Sequence, residues 1–379
     1  MIYLDHNATS PLRHEAREAM LRALETGGNP SSVHAAGRGA RAMIEKARGQ
    51  VAAYAGASVG ELIFTSGGAE SNALALRGAV ASTLEAEDRI TRLFVVATAH
   101  ESVRSVAASL GETVAGLVVT EIPVDANGRV DPKGFRSLLM NGKGRALVSL
   151  IAVNNETGVI EDVAALANIL RAEGGGRALL HVDAVCSAFV RFADWDADYL
   201  ALSAHKLGGP QGTGALIARE SVPLAPLFNG AQEKRHRAGT ENLSGIAGFG
   251  AAAAAAHFDA SKLRDAFEAK LLSVAPDAVI FASDAPRQGN TSCFAIPGVV
   301  AETALMALDL DGICISSGAA CSSGKVSPSH VLAAMGVSES LARSALRVSF
   351  GWNSVQSDVD GAIALLSKLV ARVRARKAA

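Results

Sequence analysis

The sequence predicts an α/β fold, with a large domain on a mostly parallel seven-stranded sheet flanked by helices and a smaller α+β domain after it. Three observations predict this. Seven short apolar runs of strand character occur at 61–64, 93–97, 117–122, 146–153, 179–182, 199–202 and 215–218. Helical or turn-rich stretches separate most of them, as in sheets of buried, mostly parallel strands joined by helical crossovers. After about Gly250 the pattern changes to an alanine-rich helix, followed by Asp259 and Ser261 as caps for a new one, which marks a domain boundary.

The 379 residues are 49% hydrophobic and 19% charged, enough for a sizeable core and incompatible with disorder. Thirty-six Lys and Arg against 37 Asp and Glu leave no broad basic face, so no nucleic-acid partner is expected. The first residues, Met1-Ile2-Tyr3-Leu4-Asp5-His6-Asn7, carry no basic segment followed by an apolar one, so no secretory leader is expected and a cytoplasmic location is. Apolar runs such as 146–153 are far shorter than the ~20 residues that cross a bilayer, so no membrane partner is expected either. Cys186, Cys293, Cys314 and Cys321 show neither CxxC nor zinc spacing, and read as free thiols without a stable metal site.

Along the chain, Ala40, Met43, Ile44, Ala47, Val51 and Tyr54 recur at helical spacing within 36–57. The strand at 61–64 then leads through Thr65-Ser66-Gly67-Gly68-Ala69-Glu70-Ser71-Asn72 into a helix. Glycines and a helix N-terminus there suit a phosphate at Gly68 and Ala69, the alternative being a plain tight turn. The segment is neither a Walker loop nor a GxGxxG fingerprint. The strand at 179–182 runs into Asp183 within His181-Val182-Asp183-Ala184, and the strand at 199–202 leads to Lys206 in Ser203-Ala204-His205-Lys206. Ligands gather at the carboxyl ends of strands in open parallel sheets. A lysine and an acid placed there suit pyridoxal phosphate, which takes a lysine Schiff base and an acid beside its pyridine nitrogen. At the C-terminus Ile363, Leu366, Val370 and Val373 share a helical face, with Lys368, Arg372, Arg374, Arg376 and Lys377 around it, as in a packed surface helix with a solvated basic end.

These segments, together with Val153-Asn154-Asn155-Glu156-Thr157-Gly158 and Arg237-Ala238-Gly239-Thr240-Glu241-Asn242, resemble the NifS/IscS cysteine desulfurases. Those are class V, fold-type I pyridoxal phosphate enzymes. The similarity runs from Tyr3-Leu4-Asp5-His6-Asn7 to Leu346-Arg347-Val348-Ser349-Phe350, nearly the whole chain. It implies a pyridoxal phosphate-binding domain at 15–258, with 1–14 and 259–379 forming the smaller domain that carries the catalytic cysteine loop. It implies that Lys206 binds the cofactor as a Schiff base and moves the Cα proton, that Asp183 pairs with the pyridine nitrogen and that His100 stacks on the ring. Gly68, Ala69, Ser203 and His205 would hold the phosphate, joined by Thr240 from the second subunit of a homodimer. Asn155 would lie by the ring oxygen and the substrate carboxylate, Arg347 would grip that carboxylate, and Asn7 would line the substrate pocket.

Cys321 lies in Ser316-Ser317-Gly318-Ala319-Ala320-Cys321-Ser322-Ser323-Gly324, small residues of the kind that make a mobile loop. The loop resembles the one whose cysteine takes sulfur from L-cysteine as a persulfide, leaving L-alanine. His100 is expected to receive the thiol proton, and the sulfur to pass to an acceptor or iron–sulfur scaffold protein, with transient cluster ligation by Cys321 a further implication. Two positions depart from the family. Val182-Asp183-Ala184-Val185-Cys186 has a thiol where the motif has a glutamine that bonds the ring oxygen, and Asn229-Gly230-Ala231-Gln232-Glu233 replaces Gly-Gly-Gly-Gln-Glu. The alternatives are a selenocysteine lyase, a class V small-molecule aminotransferase, or a degenerate interaction partner in a sulfur-transfer assembly. All but the last share the cofactor machinery, and none of them needs a persulfide loop.

Overall fold

The structure is a computed structural model and describes residues 1–187, 192–256, 258–317 and 329–378. In chain order the strands are β1 (Ile2–Tyr3), β2 (Leu62–Thr65), β3 (Ile90–Val96), β4 (Val118–Ile122), β5 (Arg145–Ile151), β6 (Leu179–Asp183), β7 (Tyr199–Ser203), β8 (Gly214–Ala218), β9 (Val279–Ile280), β10 (Thr291–Ala295), β11 (Ile313–Cys314) and β12 (Ala345–Ser349). Seven of them form one sheet in the order β2-β8-β7-β6-β5-β3-β4. Its five neighbours from β7 to β4 pair in parallel, whereas β8 runs antiparallel to both β7 and β2. All strands but β8 therefore end on one edge, and β8 begins there.

Helices α1 (His14–Thr26), α2 (Ala35–Ala55), α3 (Gly68–Ala81), α4 (Glu101–Thr113), α5 (Pro132–Met140), α6 (Val163–Glu173) and α7 (Leu243–Ala254) accompany this sheet, followed by α8 (Ser261–Val274). Ile44, Ala47 and Val51 of α2, Leu74 and Leu76 of α3, and the apolar residues of β2 to β8 make one continuous core. A second core gathers Leu4, Phe267, Phe294, Leu346, Phe350, Val359, Leu366 and Val370. It surrounds the antiparallel strands β12-β10-β9 and the β1-β11 pair. A new helix, α8, does start at Ser261, but its N-cap position is Ala260 and neither Asp259 nor Ser261; Asp259, one residue earlier, accepts from Ser261 N through Oδ1 at 2.9 Å.

The N-terminal segment joins the two cores. Leu4 N donates to Cys314 O and Ser349 N to Leu4 O, and six residues on Ser10 N donates to His205 O at 2.9 Å. Among the described residues no helix is long and apolar enough to cross a membrane. Among them, too, no group of three His, Cys, Asp or Glu side chains is arranged to hold a metal.

Candidate active site

The strand ends on the shared edge enclose a cavity of about 540 Å³. Gly68, Ala69, His100, Asn155, Asp183, Cys186, Ser203, His205 and Lys206 all line it, joined by Thr9, Asn72, Ser102, Val185, Gln211 and others. The nine sequence-predicted residues arrive on five segments: after β2, after β3, after β5, at and just beyond the end of β6, and at and just beyond the end of β7.

One wall is the N-terminus of α3. Its N-cap is Gly67, which offers no side chain to the first-turn N–H groups, and a helix leaves those groups without intrahelical acceptors. Gly67 has φ of 155°, and the start of β8 packs so tightly on it that a Cβ on Gly214 would meet Gly67 Cα at 2.6 Å. Backbone donors without a capping side chain, facing a cavity at the positive end of a helix, suit an anion.

The opposite wall carries the amine. Lys206 closes the single 3-10 turn Ala204–Lys206 that follows β7, and its Nζ donates to Asn7 O and, at 3.0 Å, to Ala8 O. His205 rests its Nδ1 3.2 Å from Thr9 Oγ1, and burial pushes it down to about 4, so it is neutral at physiological pH.

Between these walls stands Asp183, buried at the end of β6. Its Oδ1 accepts from Val185 N at 3.0 Å and its Oδ2 from Asn72 Nδ2 at 2.9 Å. Asn72 also reaches Ser102 Oγ at 3.0 Å and His181 Nε2 at 3.1 Å, while His181 Nδ1 lies 2.8 Å from Ser149 Oγ. Burial holds His181 down to about 4 against the pull of Asp183. His100 caps α4, its Nδ1 accepting from Ser102 N at 3.1 Å and lying 2.9 Å from Ser102 Oγ.

Arg347 lies one step behind the cavity wall. Nη1 donates to Asn155 O at 2.9 Å, Nη2 to Asp5 Oδ1 at 2.6 Å, and the buried Nε finds no partner among the described residues. An orphaned guanidinium donor in a buried site is a place for an incoming anionic acceptor. Asn7 also stands back from the large cavity. Its Nδ2 donates to Asn155 O and Thr291 Oγ1, and its Oδ1 accepts from Asn290 Nδ2, so its amide fixes the segment and is committed internally. With Lys206 and Cys186 it lines a separate chamber of about 70 Å³.

Cys186 borders both spaces. Burial pushes its thiol up, with Lys206 pulling the other way. Thr240 is exposed and does not line the cavity of its own chain. The loop that carries it is anchored ahead of it by two ion pairs, Glu233 on Arg48 at 2.8 Å and Arg237 on Glu70 at 3.0 Å. Cys321 lies outside the described residues.

Asn72, His181 and Asp5 stand inside segments that the sequence singles out, and Ser102 stands two after His100, but the sequence assigns none of them a role. One signal was available, since His181 and Asp183 are two apart on a strand and must share a face.

A family model described as Aminotransferase class-V matches residues 2–361. A cysteine desulfurase of Cereibacter sphaeroides is 40% identical over 385 residues, which cover 99% of this chain and 97% of that one. Among solved structures, a NifS-like protein of Rickettsia africae superposes with a TM-score of 0.86 at 31% identity, covering 98% of this chain and 99% of that one. SspA in complex with cysteine superposes with a TM-score of 0.80 at 27% identity, covering 94% of this chain and 100% of that one.

Proposed function

The chain belongs to the class-V aminotransferase family, and from that membership and its cavity we propose that it is a pyridoxal phosphate-dependent cysteine desulfurase. The observation that carries the reading is the convergence of Lys206 and Asp183 on one cavity with an uncapped helix N-terminus in its wall. When bound, pyridoxal phosphate supplies an electron sink for the charge left when a substrate Cα proton departs.

The donor set fits that group. Gly68, Ala69, Ser203 and His205 would hold the phosphate, Lys206 would take the aldehyde through Nζ, and Asp183, steadied by Asn72 and Val185 N, would pair with the pyridine nitrogen. His100 and Asn155, which line the same cavity, would attend the ring and its oxygen. The amine of Lys206 would take and return the Cα proton. Arg347 receives the substrate carboxylate with its spare donor, Asp5 and Asn155 O fixing the angle of the fork. Cys321 takes the substrate sulfur as a persulfide, L-alanine leaves, and the terminal sulfur passes to an acceptor thiol or an iron–sulfur scaffold protein.

In this reading residues 15–258 bind the cofactor, and 1–14 with 259–379 form the smaller unit that carries Cys321. Two chains form the working unit, with Thr240 of each serving the other's phosphate. The exposed position of Thr240, on a loop anchored by buried and half-buried ion pairs, supports that arrangement.

The test adds L-cysteine to the purified protein with and without reductant. Alanine with stoichiometric sulfide, and one added sulfur atom on the Cys321 peptide when reductant is omitted, is the expected result. Bound cofactor with neither product overturns it in favour of a transaminating, selenocysteine-specific or degenerate relative.

Two substitutions refine the assignment. Arg347→Ala removes a charge-assisted bond to the carboxylate, worth about 3 kcal/mol, and is expected to raise KM for cysteine roughly 10²-fold. Because it also leaves Asp5 without its partner, Arg347→Lys, which keeps a charge beside Asp5 but loses the fork, is the control. An unchanged KM in both counts against the assignment. Cys186→Gln restores an amide beside the ring oxygen. One added hydrogen bond, about 1 kcal/mol, is expected to slow cofactor loss on dialysis about fivefold. Equal loss from both proteins removes the argument.

A further inference from the structure

Glu233, Lys234 and Arg235 follow one another at φ of 42°, 56° and 71°, left-handed backbone that is unfavourable for any residue with a Cβ. Among the described residues this is the only run of non-glycine residues there, Asp196 and Ala282 standing alone. Such a turn persists only where its surroundings hold it. We propose that the buried Arg48–Glu233 ion pair is that hold, and that its use is to present Thr240, further along the same loop, to the cofactor phosphate of the second subunit. The proposal rests on the reading of Thr240 given above and adds Glu233, Arg48 and Arg237 to it as positioning residues, acting through Thr240.

Glu233 is gripped through both carboxylate oxygens. Its Oε1 accepts from Arg48 Nη2 at 2.8 Å, and its Oε2 from Arg48 Nη1 at 2.9 Å and from Phe64 N at 2.8 Å. Arg48 Nη1 also donates to Leu62 O at 2.9 Å, and its guanidinium lies over the Phe64 ring, 4.9 Å from the centroid. Leu62 and Phe64 belong to β2, the edge strand of the sheet, so the ion pair takes up backbone groups that a further strand would otherwise use. Two parallel charge-assisted bonds fix angle as well as distance, which is what one orientation of a strained turn requires.

The same strand leads into the wall proposed for the phosphate. Just beyond it, at the start of α3, the loop is tied a second time. Arg237 Nε donates to Glu70 Oε1 at 3.0 Å, and Glu70 Oε2 accepts from Ser66 N at 2.8 Å. Lys234 Nζ reaches Val59 O at 3.3 Å, ahead of β2. These ties run to α2 and to the segment 59–70 of the same chain, while Thr240 stays exposed. A turn kept in an unfavourable conformation, locked on one side and carrying an exposed hydroxyl on the other, is preorganised for a contact outside its own chain.

The experiment follows loss of pyridoxal phosphate from the loaded protein on dialysis, by its visible absorbance. Thr240→Ala removes a hydrogen bond to a charged group and is expected to speed the loss about tenfold. Glu233→Gln, which keeps the shape but only one acceptor oxygen, should speed it about fivefold, and the two together no more than about tenfold, where independent effects would multiply to about fiftyfold. Arg235→Gly, which accepts a positive φ without strain, should return the Glu233→Gln protein to within about twofold of wild type. Because Glu233→Gln leaves the Arg48 charge buried and unpaired, Arg237→Gln, at a half-buried pair, is the second probe. It should speed the loss about threefold in the wild-type background and leave the Thr240→Ala rate as it is. Factors that multiply in the double variants overturn the inference and leave Thr240 its role, as do Glu233→Gln and Arg237→Gln proteins that keep the cofactor as long as the wild type. A Thr240→Ala protein that retains cofactor like the wild type overturns the placement of Thr240 and the inference with it.

Discussion

Lys206→Ala is expected to lower kcat/KM for L-cysteine by at least about 10³-fold, the upper part of the range for a positioned proton-transfer group, and to abolish the visible absorbance of lysine-bound cofactor. The fold should survive. The turn that presents Lys206 is held by backbone bonds, Leu207 N to Ala204 O at 3.0 Å and Gly209 N to Ala204 O at 2.9 Å, which owe nothing to the side chain. What the substitution removes is the pair of Nζ bonds to Asn7 O and Ala8 O, worth roughly 1 kcal/mol each. Lys206→Arg separates the two roles. A guanidinium can replace the donors to the N-terminal segment but stays charged at any working pH, so it neither forms a Schiff base nor takes a proton. A Lys206→Arg protein as inactive as the alanine variant, yet more stable in a denaturant titration, is the expected pattern. Substantial turnover by either variant would mean that another amine serves the cavity.

Much of this architecture is legible in the sequence because the physics that makes it is local. Buried parallel strands need continuous apolar, β-branched runs, and the runs at 146–153 and 179–182 differ from β5 and β6 by no more than two residues at either end. Asp183 and Lys206 stand out because a charged group at the end of such a run, or in the turn just beyond it, lies at the carboxyl edge of the sheet. Strand order is another matter. Nothing local places β2 beyond β8 or turns β8 against its neighbours, since both follow from how α3 and the later segments pack. The two-residue strands Ile2–Tyr3 and Ile313–Cys314 are too short to show a period, and they exist because the N-terminal segment is threaded between the cores. The polar chain behind Asp183 is illegible for the same reason. Asn72 meets Asp183 across 111 positions and Arg347 meets Asp5 across 342, and no spacing rule links such residues.

Cys321→Ala is expected to keep the coloured cofactor and lose sulfide release by on the order of 10³-fold or more, as removal of an attacking nucleophile does elsewhere. The strongest rival for the sulfur is another thiol of this chain, and the described ones differ sharply in fitness. Cys293 sits in the middle of β10, fully buried, and burial drives its thiol far above the ordinary range. Cys314 is held in β11 opposite Tyr3. Cys186 is the serious competitor, since it lines the cavity beside Lys206. Its thiol is nonetheless pushed up by burial, and the attacking species in sulfur transfer is the thiolate, so near neutral pH Cys186 is a poor nucleophile. Its backbone is also tied down, Gln288 Nε2 donating to Cys186 O at 3.1 Å, so the thiol stays at the cavity wall. Cys321, flanked by serine, alanine and glycine, has the composition of a segment that can visit both the pocket and a partner. Cys186→Ala should therefore still release sulfide while Cys321→Ala does not, with the added sulfur found on the Cys321 peptide alone. Sulfur on the Cys186 peptide, together with full turnover by Cys321→Ala, would transfer the persulfide to the cavity wall and leave the serine-rich loop without a part in the reaction.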